Sequence, residues 1–411
     1  MKKEIINKKI NRVLLINPPY TFYTYVNIDR NAGTMQHPII SLASIAGALK
    51  NTCDVKILDF DVIENFNYEN ILYDYLDNYK PDLIGITSTT PMFPSALKIS
   101  EKIKQKNKEI TVVLGGVHSS TCPDEVIANE FVDIAVIGEA DFFLKDFIES
   151  NNRLELKGAY FKNEIDKIVF NGKNELLTDL DKLPLPAWHL YDLSKYKASR
   201  LIEKKSPGGL LETSRGCPFL CNYCNKTVFG KKWRYKSINR VINEFRYMKD
   251  IGFKEIHIED DGFSTDINRA KEICKELIKI KNTMNWTLLN GIRVDRVDKE
   301  LFELLKEARC YQVAFGIESG DEKVLEKINK NISLKQVEEA VKLANNAGLE
   351  TFGFFMFGLL GETEDSMKKT IDFACQLPLT IAKFDIAIPY PGTEMFLELE
   401  KKNLIKIKKW E

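Results

Sequence analysis

Thr213-Ser214-Arg215-Gly216-Cys217-Pro218-Phe219-Leu220-Cys221-Asn222-Tyr223-Cys224 is the stretch around which the rest of the chain is organised. Three thiols fall within eight residues, with three and then two residues between them, in a loop opened by Gly-Cys-Pro. Thiolates are the soft ligands that iron–sulfur clusters select, and so short a loop can wrap one face of a cluster. Three ligands cannot fill the four corners of a cubane. One iron therefore stays open to a small molecule, as catalytic metal sites keep a vacant position. Zinc is the competing reading, but it usually takes four ligands in two pairs, and the chain has no second Cys-x-x-Cys.

This Cys-x-x-x-Cys-x-x-Cys pattern, with the aromatic Tyr223 before its last cysteine, resembles the signature of the radical S-adenosylmethionine enzymes. The resemblance implies a 4Fe-4S cluster held by Cys217, Cys221 and Cys224. Its open iron would chelate the amino and carboxylate groups of S-adenosylmethionine, and an electron from the cluster would cleave that ligand to a 5′-deoxyadenosyl radical.

The chain as a whole sets the setting. Its 411 residues suffice for two or three domains, and 44% hydrophobic with 29% charged residues is ordinary for a globular protein. With 59 basic and 59 acidic residues the net charge is zero, so nothing points to nucleic acid. No apolar run reaches the roughly 18–20 residues of a membrane span, and Met1-Lys2-Lys3-Glu4 does not lead into a signal peptide. Cys53, Cys122, Cys274, Cys310 and Cys375 are scattered in apolar patterns, as reduced packing residues of a cytoplasmic protein would be.

Residues 12–150 alternate short apolar runs with helical patterns. Strands are expected at 13–16, 55–58, 83–86, 111–114 and 134–137, each almost continuously hydrophobic, as parallel strands covered on both faces should be. Helices are expected near 39–50, 67–79, 94–106, 123–130 and 139–150. Five βα units imply a doubly wound, Rossmann-like sheet with its ligand site at the carboxyl ends of the strands. Asn17-Pro18-Pro19-Tyr20, Ser88-Thr89-Thr90-Pro91, Gly115-Gly116-Val117-His118-Ser119-Ser120 and Gly138-Glu139-Ala140-Asp141 stand at those ends. Glycines and small hydroxyl residues there let backbone amides approach a large ligand. No G-x-G-x-x-G follows the first strand, which argues against a dinucleotide.

The NPP, GGVHSS and GEAD strings look like the cobalamin-binding domain that precedes the cluster domain in one large subgroup of the same enzymes. This implies cobalamin contacts from Pro18, Pro19, Ser88, Thr89, Gly115, Gly116, His118, Gly138 and Glu139. Many cobalamin domains carry Asp-x-His-x-x-Gly, whose histidine ligates cobalt; that string is absent here, as it commonly is in the subgroup. The resemblance therefore implies base-off cobalamin without that ligand, with His118 a groove contact. His37 and His189 read as structural. A flavodoxin-like domain with an empty groove is the alternative.

Between 151 and 206 the rhythm stops. Gly158-Ala159-Tyr160-Phe161 and Lys167-Ile168-Val169-Phe170 suit a hairpin. Leu183-Pro184-Leu185-Pro186-Ala187-Trp188 cannot be one helix and would pack a Trp and several Leu between domains. It resembles the connector of the same subgroup.

Alternation resumes at 207–395, with strands expected near 209–213, 254–259, 286–290, 311–317, 350–357 and 382–388. Helices fit near 237–251, 266–281, 298–308, 333–347 and 363–377. Six units suggest a partial (β/α)6 TIM-type barrel with chemistry at the C-terminal strand ends. Glu259-Asp260-Asp261 ends the second strand, where the family's carboxylate holds the ammonium of S-adenosylmethionine; the resemblance assigns that role to Glu259, Asp260 or a backbone carbonyl. Glu318-Ser319 after the fourth strand would meet ribose hydroxyls, and Gly358 after the fifth resembles the glycine motif lining the adenine, where Tyr223 would also pack. Arg293 would pair with the methionine carboxylate or form a surface salt bridge, and Glu362 fits a helix start. Residues 396–411 form a short remnant where relatives of this type continue, which implies a less covered barrel side, a shortened chain or a partner.

The resulting expectation is a cobalamin-dependent radical enzyme that methylates a carbon centre of a small-molecule or peptide substrate, fed electrons by a flavodoxin or ferredoxin. Cyclisation or rearrangement with the same cofactors is one rival. A cobalamin or redox sensor without turnover is another, although a sensor has no need of an open iron.

Overall fold

The computed structural model describes residues 8–19, 37–63, 68–162, 167–199, 202–407 and 410. Tyr20, Lys408, Lys409 and Glu411 lie outside them. The first sheet has the order β2-β1-β3-β4-β5-β6-β7. Strands β1 (Arg12–Asn17), β2 (Asp54–Asp59), β3 (Leu83–Thr87), β4 (Thr111–Gly115) and β5 (Ile134–Val136) are parallel. The hairpin β6 (Ala159–Lys162) and β7 (Ile168–Phe170) extends the same sheet antiparallel to β5.

The near-continuous apolar strands are explained by two separate cores. Leu14, Ile16, Ile84, Ile86, Val112 and Leu114 face one side, under α2 (Tyr68–Asp74), α3 (Phe93–Lys106) and α5 (Pro123–Ala128). Val13, Leu15, Leu83, Val113, Ile134 and Val136 face the other, under α1 (Ile40–Leu49) and α6 (Phe143–Glu149). Alternate residues are buried on opposite faces, so no polar stripe remains.

Two helices differ from expectation. The pattern at 67–79 is a short α2 continued by a π-helical turn over Tyr75–Tyr79. The segment around 123 is two helices: α4 (Val117–Thr121) begins directly after the glycine pair, and α5 starts afresh at Pro123. Proline cannot donate within a helix but suits its first position, so it separates the two.

The second sheet holds six parallel strands: β8 (Gly208–Leu211), β11 (Glu255–Ile258), β12 (Asn285–Ile292), β13 (Cys310–Glu318), β14 (Glu350–Phe357) and β15 (Ile381–Ile386). Helices α7 (Ile238–Ile251), α8 (Ile267–Lys279), α9 (Lys299–Glu307), α11 (Leu334–Asn346) and α12 (Glu364–Gln376) alternate with them, and α10 (Glu322–Lys327) is a short addition. β8 and β15 do not pair, so the barrel is open. Most of β15 is exposed, including Phe384 and Ile386. A two-residue ribbon, β9 (Ser214–Arg215) against β10 (Arg234–Tyr235), stands between β8 and α7.

The connector joins the halves. Trp188 is buried edge-on against Phe253, the Ala187 amide donates to the Ala43 carbonyl at 2.8 Å, and the Tyr196 hydroxyl donates to Asp59 Oδ2 at 2.8 Å. Leu180 and Leu183 are buried with them, whereas Leu185 is exposed. Among the described residues no helix is long and apolar enough to cross a membrane.

Candidate cofactor sites

The β9–β10 ribbon closes residues 216–233 into a loop, and Asp260 fixes its base. The Asp260 carboxylate accepts the amides and hydroxyls of both Thr213 and Ser214, the Ser214 Oγ at 2.7 Å. Gly216 then turns with φ +80°; a Cβ there would sit 2.4 Å from the Lys232 carbonyl oxygen, so only glycine fits. Its amide donates to Asp261 Oδ2 at 2.9 Å.

Cys217, Cys221 and Cys224 line a cavity of about 390 Å³ at the C-terminal strand ends, with Asp261, Arg293, Glu318 and Lys330. Burial raises the thiol of the half-buried Cys217 above its usual value.

β13 delivers Glu318 at φ +71°, uncommon for a residue with a Cβ. In the cavity its Oε1 takes a 2.7 Å ion pair from Lys330 Nζ and a 2.9 Å hydrogen bond from the Tyr223 hydroxyl. Arg293 donates to Asp295 Oδ1 at 2.8 Å and to the Lys330 carbonyl at 2.9 Å, and lies 3.9 Å over the Phe219 ring. Ser319 and Gly358 do not line this cavity. Ser319 is fully buried beside Thr370, and the Gly358 amide donates to Glu362.

A second cavity, about 540 Å³, opens between the two domains. Thr89, Gly115, Gly116, Gly138 and Glu139 line it from the first sheet; Glu212, Arg215, Phe229 and Glu259 line it from the barrel side. A Cβ on Gly138 would meet nothing within 4 Å, so the glycine leaves open space. Room of this kind, with largely apolar walls, fits a broad planar cofactor such as a corrin. Pro18, Pro19 and Ser88 are buried near these strand ends but do not line the cavity.

His118, expected in the groove, is instead buried on α4, with its ring centroid 4.1 Å from that of Phe93 and Nδ1 3.3 Å from Thr90 Oγ1. The cause is the helix that starts at Val117 and turns the side chain under the sheet. Burial lowers its pKa to about 4. No histidine occurs among the described residues lining the groove.

The end of β11 divides its three carboxylates. Glu259 faces the interdomain groove, Asp260 pins the loop, and Asp261 faces the cysteines. Burial, reinforced by Asp260 and Glu212, pushes the Glu259 carboxyl up to about 7. Sequence reasoning gave no role to Asp261, Lys330 or Arg215. Arg215 Nε donates to Glu212 and its fork clasps Asp141, while Arg234 holds Glu139 at 2.7 Å. Charged residues at the start of a cysteine loop were a legible signal; their partners were not.

Two family models match the chain: the Radical SAM superfamily over residues 211–374 and the B12 binding domain over residues 29–147. An uncharacterized methyltransferase of Pyrococcus horikoshii is 33% identical over 98% of this chain and 86% of its own. The cytidylyl-2-hydroxyethylphosphonate methyltransferase of Streptomyces wedmorensis is 26% identical over 97% of this chain and 83% of its own. The anaerobic magnesium-protoporphyrin IX monomethyl ester cyclase of Rubrivivax gelatinosus is 26% identical over 95% and 70%. In fold, the chain matches the radical S-adenosylmethionine methyltransferase TsrM of Kitasatospora setae, solved with cobalamin and a 4Fe-4S cluster, with a TM-score of 0.76 at 20% identity over 96% of this chain and 75% of that one. It also matches the cobalamin-dependent radical enzyme OxsB, with a TM-score of 0.77 at 19% identity over 97% and 62%. A relative this similar along nearly the whole chain, joined to both family models, means that the chain belongs to the cobalamin-dependent radical S-adenosylmethionine enzymes, which use a 4Fe-4S cluster, S-adenosylmethionine and cobalamin.

Proposed function

We propose that the chain is a methyltransferase acting on a carbon centre of a small molecule or peptide, with a flavodoxin or ferredoxin as electron donor. The observation that carries this reading is the division at β11: Glu259 and Asp261, two residues apart, face the groove and the cysteine cavity. A single strand end thus separates the two proposed cofactor sites, and a substrate between them would be within reach of both. When bound, the cofactors supply hydrogen-atom abstraction and methyl transfer; binding, orientation and exclusion of water fall to the protein.

In this reading Cys217, Cys221 and Cys224 grip three corners of the cluster and leave one iron open. Asp261 offers its carboxylate to the ammonium of S-adenosylmethionine, a role its neighbour Asp260, with four hydrogen bonds already accepted, is less free to take. Arg293 and Lys330 would take the carboxylate, each aimed by its own acidic partner, Asp295 and Glu318. Glu318 and the Tyr223 side chain form the wall toward the nucleoside. In the groove, Gly115, Gly116 and Gly138 admit the corrin, and Glu259 presents a carboxyl that is partly protonated near neutrality.

Anaerobic incubation with S-adenosylmethionine and a strong reductant tests the reading. S-adenosylhomocysteine and 5′-deoxyadenosine formed together support methyl transfer with radical chemistry. 5′-Deoxyadenosine alone favours ring formation, the second reading, which the cyclase relative from Rubrivivax gelatinosus brings forward. Neither product from the reconstituted protein overturns both.

A further inference from the structure

Away from both cavities, three segments distant in sequence bring ionisable side chains together near the N-terminal ends of the barrel strands. His37 precedes α1, Glu203 lies in the connector before β8, and His257 is in β11. They are 8%, 3% and 0% exposed. One donor atom from each lies within 4.8 Å of the other two.

Hydrogen bonding accounts for one edge only, His37 Nε2 to Glu203 Oε2 at 2.9 Å. His257 Nε2 stands 3.6 Å from Glu203 Oε2 and 3.8 Å from Glu255 Oε1, beyond hydrogen-bond range. Among the described residues His257 Nε2 and Glu203 Oε1 are buried without a hydrogen-bond partner. A buried polar group without a partner is costly, so two in one cluster call for a missing partner. Among the described residues no Lys or Arg is ion-paired with Glu203 or Glu255.

A divalent metal fits these separations. Tetrahedral donors at about 2.0–2.1 Å from the ion stand about 3.3 Å apart, a value bracketed by the 2.9 and 3.6 Å edges that run from Glu203 Oε2 to His37 and to His257. Gly208 keeps the space clear, since a Cβ there would lie 2.3 Å from Glu203 Oε2 and 2.8 Å from His257 Nε2. Thr287 Oγ1 is 2.8 Å from His257 Nδ1, the outer contact by which a ligating imidazole is fixed with its other nitrogen turned to the ion.

We propose that His37, Glu203 and His257, with Glu255 beside them, bind a divalent metal of the zinc type. The ion would fasten the start of α1 and the connector to the barrel floor, independently of the iron–sulfur cluster. Imidazole and carboxylate donors without thiolate suit such an ion.

The test titrates zinc, against a competing chelator, into the full chain and into the full chain carrying Cys217→Ala, Cys221→Ala and Cys224→Ala. The triple variant is expected to keep one tightly held zinc per chain. Added His257→Ala or the near-isosteric Glu203→Gln should abolish it, with circular dichroism reporting that the Gln variant is folded. Thr287→Val, which spares every ligand, should weaken zinc about 10–100-fold. Failure of the triple variant to retain zinc overturns the site, as does zinc binding that His257→Ala and Glu203→Gln leave unchanged.

Discussion

Arg215 and Asp141 meet across the two domains in a forked ion pair, with Nη1 2.6 Å from Oδ2 and Nη2 3.0 Å from Oδ1. Burial alone would lift the Asp141 carboxyl; the guanidinium more than reverses this and holds it below the usual carboxylate range. Arg215 lies two residues before Cys217, so the pair anchors the cysteine loop to the groove side of the first sheet. Arg215→Ala leaves Asp141 and Glu212 buried without their cation and should cost about 3–5 kcal/mol in urea unfolding. Arg215→Lys keeps the charge but not the fork and should fall between the variant and the parent.

The two glycines of the groove should respond differently to alanine. At Gly116, φ is +97° and a Cβ would lie 2.6 Å from the Ser88 carbonyl oxygen, so the backbone must move. Gly138, at φ +71°, has open space and pays only the conformational cost, about 1 kcal/mol. Thermal unfolding should show Gly116→Ala losing clearly more stability than Gly138→Ala. Cobalamin uptake, read from its absorbance, should fall in both.

Acid should weaken the fold through His118. Its folded pKa of about 4 lies below the usual 6.5, so the unfolded chain binds the proton more readily. Stability is therefore full above about pH 6.5 and declines as pH falls toward 4. Between pH 7.5 and 5 the histidine should account for a loss of about 2 kcal/mol. His118→Phe, which cannot titrate, should show a correspondingly shallower pH dependence in urea unfolding; an unchanged slope would count against the assignment.

At the cavity mouth, Lys330→Ala strips Glu318 of its 2.7 Å partner and should cost about 3–5 kcal/mol in stability. Tyr223→Phe removes one hydrogen bond to the same carboxylate and should cost only about 1.5–3 kcal/mol. Calorimetry with the reconstituted protein should find S-adenosylmethionine binding weakened more by the lysine change than by the tyrosine change.

Local pattern carried the fold a long way. Runs such as Val13–Ile16 and Leu83–Ile86 announced buried parallel strands, and the later units at 350–357 and 363–377 fall within a residue or so of β14 and α12. The cysteine spacing announced three thiols lining one cavity, because residues only three and four apart meet through local geometry alone. Pro123 marked a helix start that the broad 123–130 pattern already contained; the helix from Val117, which buries His118, was not legible because Gly-Gly reads as a loop.

What the sequence determined by itself was therefore what local rules control: strand and helix periodicity, the three-thiol loop, and the strand ends at which ligands would gather. Tertiary structure alone decided which of Glu259, Asp260 and Asp261 faces which cavity, that Lys330 answers Glu318, and that Asp141 and Arg215 lock the halves together. These depend on contacts between residues far apart in the chain, and a carboxylate's partner and solvation follow from packing rather than from its neighbours in sequence.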